Sequence, residues 1–360
     1  MKLLIAAGGT GGHIYPGIAV ARELLIRDPE SEILFVGTAR GLETKIVPES
    51  GFELALINSA GLKNVGAKGK IKGLTLLPKS FFEARKILKD FRPDVVVGAG
   101  GYVSGPVLIT ASLMRIPTMV MDSNALPGFT NRRLARFVNK AALTFEESLS
   151  FFGTKGTVIG NPVRKEFFEV RPKQRSDVFS ILIFGGSQGA RAINNSMTDA
   201  LEHLKGLAGR LKIVHQTGES DLDQIREFYS RTEFADSDVR PFITDMMAEF
   251  EKADVVICRA GATTCAELAA AGKASVMIPL PTAADDHQRK NAESFVDAGA
   301  SLMLVQSELS GASLAAVIRE LIETPNAIDA MERAAKRLGK PDAAASAVDL
   351  ISELAYGKKG

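Results

Sequence analysis

The stretch Lys2-Leu3-Leu4-Ile5-Ala6-Ala7-Gly8-Gly9-Thr10-Gly11-Gly12-His13, with a helical pattern over Pro16–Arg27 behind it, decides how this chain is read. An apolar run leads into four glycines within five residues. Strand, glycine-rich turn and helix is the arrangement that aims backbone N–H groups and a positive helix end at an anion, commonly a phosphate. Glycines also let another molecule approach the backbone closely. A bare turn needs only one or two of them, so this one is expected to meet a ligand.

Outward from that turn, short apolar strands alternate with helices. Strands are expected at Lys2–Ala7, Glu32–Val36, Glu53–Ile57, Asp94–Gly98, Thr118–Met121, Lys140–Thr144 and Gly156–Ile159. This alternation means a parallel sheet covered by helices on both faces, with ligands at the carboxyl ends of the strands. Three further loops fall at strand ends: Gly98–Gly105, Met121–Asn124 and Gly160–Arg164. Together with the first turn they would line one rim of the sheet, as a binding cleft requires.

The pattern then restarts. Asn161-Pro162 is a turn that neither helix nor central strand tolerates. After the polar Arg171-Pro172-Lys173-Gln174-Arg175, Ser180–Phe184 reads as a strand, Gly185-Gly186-Ser187-Gln188-Gly189-Ala190 as a second glycine turn, and Ala190 to Leu204 as a helix. Strands follow at Leu211–His215, Val239–Phe242, Asp254–Cys258, Ala274–Ile278 and Ser301–Val305. Helices follow at Asp221–Ser230, Asp245–Glu251, Ala262–Ala271 and His287–Ala298. The expected organisation is α/β, with two Rossmann-like doubly wound domains facing a cleft. Residues 1–162 form the first and 163–340 the second, and a helix over 341–360 could pack back on the first.

Composition narrows the function. The chain has 360 residues, 46% hydrophobic and 24% charged, as in a soluble globular protein. No apolar run approaches the roughly 20 residues that span a bilayer, and the apolar start is too short for a signal peptide. Cys258 and Cys265 are the only cysteines and fit no metal spacing. The four histidines form no zinc pattern. Residues 1–162 hold 20 Lys/Arg against 13 Asp/Glu, whereas the remainder holds 24 against 29. The first half is therefore the one suited to an anionic partner. A dinucleotide site is disfavoured, because His13-Ile14 replaces the last glycine of Gly-x-Gly-x-x-Gly and the second strand ends Phe35-Val36-Gly37-Thr38 without an acidic residue. No Walker-type Gly-Lys-Ser/Thr follows either turn. Two doubly wound domains across a cleft suit transfer from a nucleotide-activated donor to an acceptor.

Six motifs in order carry a resemblance. They are Gly8–His13, Gly100-Gly101-Tyr102-Val103-Ser104-Gly105, Gly160-Asn161-Pro162-Val163-Arg164, Gly185–Ala190, Cys258-Arg259-Ala260-Gly261-Ala262-Thr263 and Asp285–Ala292. The set resembles the MurG family of bacterial cell-wall glycosyltransferases, over residues 2 to about 300. The resemblance implies a GT-B fold. It also implies inverting, metal-independent transfer of N-acetylglucosamine from UDP-GlcNAc to the C4 hydroxyl of N-acetylmuramic acid in lipid I, giving lipid II. No cofactor, metal or nucleic acid is implied.

The same resemblance distributes the site residues. Ser187, at a helix start, and Arg164 would stabilise the departing diphosphate. Glu267 would accept the ribose hydroxyls, Phe242-Ile243 would read the uracil by backbone groups, and Gln288 would hold the sugar with His287 or Asn291 assisting. Thr10, Gly11, Gly12, Asn124, Ala262 and Thr263 complete the donor side. Gly9, Gly12, Gly101, Tyr102 and Ser104 face the acceptor, whose diphosphate is the anion expected at the first turn. His13 is the expected general base, kept neutral by the helix N-terminus. Met121-Asp122-Ser123 stands where the family often has His-Glu-Gln, which leaves the role of Asp122 open.

Lys63 to Lys89 holds eight basic residues and one acidic one, Glu83. Lys68, Lys70, Lys72, Leu74, Leu76, Lys79 and Phe82 read as a patch for anionic lipid, or as the solvated face of an amphipathic helix that Pro78 starts or kinks. The first alternative gives a peripheral protein on the cytoplasmic face of the inner membrane. Rival readings are another GT-B glycolipid glycosyltransferase, a UDP-GlcNAc 2-epimerase, or an inert nucleotide-sugar sensor.

Overall fold

The structure is a computed structural model that describes residues 1–59, 67–124, 126–186, 188–283 and 286–357, with backbone alone over 67–77. It divides into two compact units, Met1–Arg164 with Lys340–Gly360, and Lys165–Gly339.

The first unit runs β1 (Lys2–Ala7), α1 (Gly11–Arg27), β2 (Glu32–Gly37), α2 (Glu43–Glu49), β3 (Glu53–Leu56), α3 (Ala67–Phe91) and β4 (Val95–Gly100). It continues α4 (Ser104–Leu113), β5 (Thr118–Asp122), α5 (Phe129–Leu134), β6 (Lys140–Leu143), α6 (Leu149–Phe152) and β7 (Gly156–Val158). The parallel sheet has the order β3-β2-β1-β4-β5-β6-β7. Leu3, Ile5 and Ala7 pack with Ile14, Ile18 and Phe35 on one face, and Leu4 and Ala6 with Leu88, Val107 and Ala111 on the other. Both faces are covered, which is why the strands read as continuous apolar runs rather than as alternating ones.

The second unit runs β8 (Phe179–Phe184), α7 (Arg191–Leu204), β9 (Leu211–Gln216), α8 (Leu222–Ser230), β10 (Asp238–Arg240), α9 (Met246–Lys252) and β11 (Val255–Cys258). It continues α10 (Ala262–Ala271), β12 (Ser275–Met277), α11 (His287–Asp297), β13 (Ser301–Met303), α12 (Gly311–Glu323) and α13 (Pro325–Leu338). Its parallel sheet has the order β10-β9-β8-β11-β12-β13. In each sheet the winding reverses beside the strand that feeds the glycine turn, between β1 and β4 and between β8 and β11. Such switch points are where open α/β sheets hold ligands. The last helix, α14 (Ala343–Tyr356), belongs to the first unit, where Ala347, Val348 and Ile351 join the core of α1 and β1.

Several local expectations are corrected. α1 begins at Gly11 and not at Pro16, so Gly11, Gly12 and His13 form its first turn. Pro78 lies inside α3, which starts at Ala67. β10 stops at Arg240, because Pro241 brings no N–H to extend the ladder. The first unit continues past Asn161-Pro162, since Val163 is buried and the Arg164 guanidinium stacks 4.9 Å over the Tyr15 ring. The polar stretch around Arg171–Arg175 is fastened to the second unit. Lys173 and Arg175 both pair with buried Asp254, and Arg175 also reaches Asp329 and Glu332 at 2.8 Å.

Candidate functional site

In the first unit, Thr10 caps α1 in an extended conformation, and its carbonyl accepts the N–H of His13 at 3.1 Å. His13 lies in the first helical turn, partly exposed, with Nδ1 3.2 Å from the Gly8 carbonyl oxygen. A carbonyl oxygen only accepts, so Nδ1 carries the ring proton and Nε2 the lone pair. Burial pulls the His13 pKa below its ordinary value, against the upward pull of the Gly8 carbonyl, Asp122 and Glu43. The imidazole is therefore neutral near pH 7, with its basic atom on Nε2. Its ring lies against Gly100, where a Cβ would come within 2.3 Å of Cδ2.

Glu43 is a site residue that sequence reasoning missed. It opens α2 and is fully buried. Its Oε2 accepts the Gly9 N–H at 2.9 Å, and its Oε1 accepts the N–H and hydroxyl of Thr38, both at 2.8 Å. An acidic residue was sought at the end of β2; it comes at the start of the next helix, and its side chain points inward beneath the first turn. Gly9 was expected to offer its N–H to the acceptor's phosphate. That N–H instead faces a carboxylate built into the fold.

Ser104 is also corrected. It is wholly buried, and its hydroxyl accepts from Gly100 N–H and donates to the Gly100 and Ala6 carbonyls. It ties the Gly98–Gly105 loop to β1 and has no surface for an acceptor. Tyr102 is 54% exposed on that loop, and Gly12 is partly exposed in the first turn of α1.

Asp122, left open above, acquires a role. It ends β5 buried, accepts the N–H groups of Asn124 (2.9 Å) and Gly128 (3.1 Å), and accepts Asn131 Nδ2 at 2.7 Å. Burial raises its pKa, and these three donors oppose the rise. The carboxylate shapes the loop that presents Asn124. Beside it, Pro16, Ala99, Thr144 and Asn161 line a small pocket at the ends of β4 to β6. Arg164, expected with the second domain, belongs to this unit.

In the second unit, Ser187 and Asp285 lie outside the described residues, as do the side chains of Lys68, Lys70, Lys72, Leu74 and Leu76 in the first. The turn around Gly186 is held from behind. Gln216 Nε2 donates to the Gly186 carbonyl, and its Oε1 accepts the Ile243 N–H, each at 2.8 Å. Ile243 is buried, so the N–H expected to read uracil is already engaged within the fold, while Phe242 beside it is exposed. Deeper, His215 bridges Tyr229 and Asn194, which in turn holds Asp221.

α10 opens at the end of β11 and presents Ala262 and Thr263 in its first turn, where helix N–H groups lack intrahelical partners. Glu267 is four residues after Thr263 and shares its face. Gln288 Oε1 accepts Leu280 N–H at 3.0 Å, so its amide donors are what it can offer a sugar. Asn291 is buried and donates to the Ala260 carbonyl, and His287 opens α11. Buried Cys265 has its thiol pushed up to about 12 and that of Cys258 is raised as well, so neither is a nucleophile. Phe82 is 75% exposed on α3, and Lys79 lies 3.8 Å from Glu83.

Residues 3–143 match the glycosyltransferase family 28 N-terminal domain, and residues 180–347 match its C-terminal domain. The chain is 48% identical over 355 residues to the UDP-N-acetylglucosamine--N-acetylmuramyl-(pentapeptide) pyrophosphoryl-undecaprenol N-acetylglucosamine transferase of Citrifermentans bemidjiense, covering 98% of this chain and 99% of that one. The crystal structure of Acinetobacter baumannii MurG matches with a TM-score of 0.75 and 32% identity, over 98% of this chain and 99% of that one. The UDP-GlcNAc 2-epimerase of Neisseria meningitidis, bound to UDP-GlcNAc, matches with a TM-score of 0.69 at 16% identity, over 98% and 100% of the two chains. That last likeness shows the fold alone.

Proposed function

The chain belongs to glycosyltransferase family 28, and from that membership we infer that it transfers N-acetylglucosamine from UDP-GlcNAc to the C4 hydroxyl of N-acetylmuramic acid in lipid I, giving lipid II and UDP in peptidoglycan synthesis. The observation that carries this reading is the 48% identity to such a transferase over nearly the whole of both chains. The epimerase alternative has only a fold-level likeness behind it.

We assign the following chemistry to the site. The acceptor O4 attacks the anomeric carbon while its proton passes to His13 Nε2. The bond from that carbon to the diphosphate breaks, and UDP leaves with the electron pair. The lowered pKa of His13, and the Gly8 carbonyl at Nδ1 that leaves the ring lone pair on Nε2, support the base assignment. Arg164 supplies paired donors for a phosphate. The turn Gly185–Ala190 with Ser187, the first turn of α10, Glu267 and Gln288 are assigned to the nucleotide sugar. The first turn of α1 and the loop carrying Gly101 and Tyr102 are assigned to the acceptor.

Attachment to the cytoplasmic face of the inner membrane is part of the proposal. The basic run in α3 and the exposed Phe82 support it. Among the described residues, no helix is long and apolar enough to cross a membrane.

The test is turnover of UDP-GlcNAc by purified protein with and without a lipid I analogue. Disaccharide product that requires the acceptor is expected, and its absence under conditions where a known transferase works overturns the reading. Conversion of UDP-GlcNAc alone to its 2-epimer establishes the rival. Replacing Lys68, Lys70 and Lys72 by Glu should weaken sedimentation with anionic vesicles; unchanged sedimentation rejects the membrane patch.

A further inference from the structure

The peptide group joining Gly8 to Gly9 is hydrogen-bonded at both ends. Its N–H donates to Glu43 Oε2 at 2.9 Å, and its C=O accepts from His13 Nδ1 at 3.2 Å. In a planar trans peptide the two groups point in opposite directions, so fixing one fixes the other. Glycine lies on both sides of this bond, and Gly9 sits at φ +92°. Neither residue has a Cβ to oppose rotation of the plane. Turned over, it would present an N–H to His13, whose Nδ1 would then have to accept and whose proton would move to Nε2. In that form the imidazole has no lone pair left for a substrate proton.

Glu43 opposes that rotation. Both of its side-chain oxygens act as acceptors here, so it holds the Gly9 N–H and would meet the Gly8 carbonyl oxygen to oxygen. Its other oxygen is fixed by the N–H and hydroxyl of Thr38, which keeps the group aimed at residue 9. The side chain is fully buried, so water does not compete for it.

We infer that Glu43 is a positioning residue for the transfer: by orienting the Gly8–Gly9 peptide it holds His13 as the Nδ1–H tautomer, with Nε2 ready to take the acceptor's proton. The catalytic consequence rests on the reading of His13 as the base, whereas the tautomer claim does not. A purely structural role, fastening the start of α2 to β2, would be met by the Thr38 contacts alone and would leave the ring proton where it is.

The experiment measures the His13 tautomer by long-range ¹H–¹⁵N spectra of labelled protein near pH 7.5, with the signal assigned by its loss in His13→Gln. The native protein should show the Nδ1–H form. Glu43→Gln offers one acceptor where two are needed, so it should move population to the Nε2–H form and lower kcat at least about tenfold, with UDP affinity unchanged. Thr38→Val removes one hydrogen bond to Glu43 without touching residue 9 and should keep the native tautomer. An unchanged tautomer in folded Glu43→Gln overturns the proposal whatever kcat does. If that variant does not fold, an Nε2–H form in the native protein overturns it equally. A His13→Gln protein with native kcat rejects the base assignment instead, and the spectra still decide the role of Glu43.

Discussion

A methyl group on Gly101 would lie 2.2 Å from the carbonyl oxygen of Gly8, so the two glycine loops of the first unit meet backbone to backbone. Gly101 also sits at φ +83°. Gly101→Ala should therefore cost about 1–3 kcal/mol in backbone strain and push the Gly8 carbonyl off His13. Denaturant unfolding and transfer kinetics should show lost stability together with a fall in kcat. Gly51→Ala, at φ +85° with open space around it, carries strain alone and should leave kcat intact.

The pH dependence of transfer should report His13. Its pKa is lowered, chiefly by burial, and the base must be neutral to act. Activity should fall as pH drops through that value, with the acidic limb of kcat/KM below the ordinary imidazole value of about 6.5. His13→Gln should remove this limb and lower kcat by about 10²–10⁴ with UDP affinity retained.

His215 sets a different pH dependence, that of stability. Burial lowers its pKa from the ordinary value to about 3, so the folded form refuses a proton that the unfolded chain accepts below about 6.5. Its contribution is neutral above that pH. Stability should decline by about 1.4 kcal/mol per pH unit as pH falls from there toward 3. His215→Gln should flatten the slope of unfolding free energy between pH 6 and 4, as read by denaturant titration at several pH values.

Asp254 is buried and accepts the Ser180 N–H and Arg175 Nη1, each at 2.7 Å, besides pairing with Lys173. Asp254→Ala should cost about 3 kcal/mol, because it takes the carboxylate from Lys173, one of three carboxylates from Arg175 and a side-chain acceptor from the buried Ser180 N–H. Trypsin should then cut at Lys173 and Arg175 faster than in the native protein. Unchanged proteolysis would show that other contacts hold this segment.

Glu267→Ala should weaken UDP binding, measured by titration, and leave the unfolding midpoint nearly unchanged, because the residue sits at the rim in the second turn of α10. Native UDP affinity would remove Glu267 from the donor site.

Much of the architecture was legible in the chain. Strand and helix periods, glycine turns and prolines act over a few residues, so β1 and α10 stand where the pattern puts them. Boundaries moved where a neighbour intervened. α1 takes in Gly11 to His13 because the Thr10 carbonyl accepts the N–H groups of His13 and Ile14 and so closes the first turn, and the first unit extends to Arg164 because Tyr15 supplies a ring for it to stack on.

By itself, the sequence determined two doubly wound units, the turns at their switch points and the family to which the chain belongs, because those depend on local periodicity and ordered motifs. Tertiary structure alone decided which polar groups remain for a ligand. Gly9 N–H goes to Glu43, 34 residues away, Ile243 N–H to Gln216, 27 away, and the Ser104 hydroxyl to Ala6, 98 away. A hydrogen bond between distant residues leaves no trace in the local pattern of either. Read from the sequence, the first glycine turn awaited an external anion. In the folded chain, Glu43 already holds one of its N–H groups, and the opposite face of the same peptide is turned toward His13.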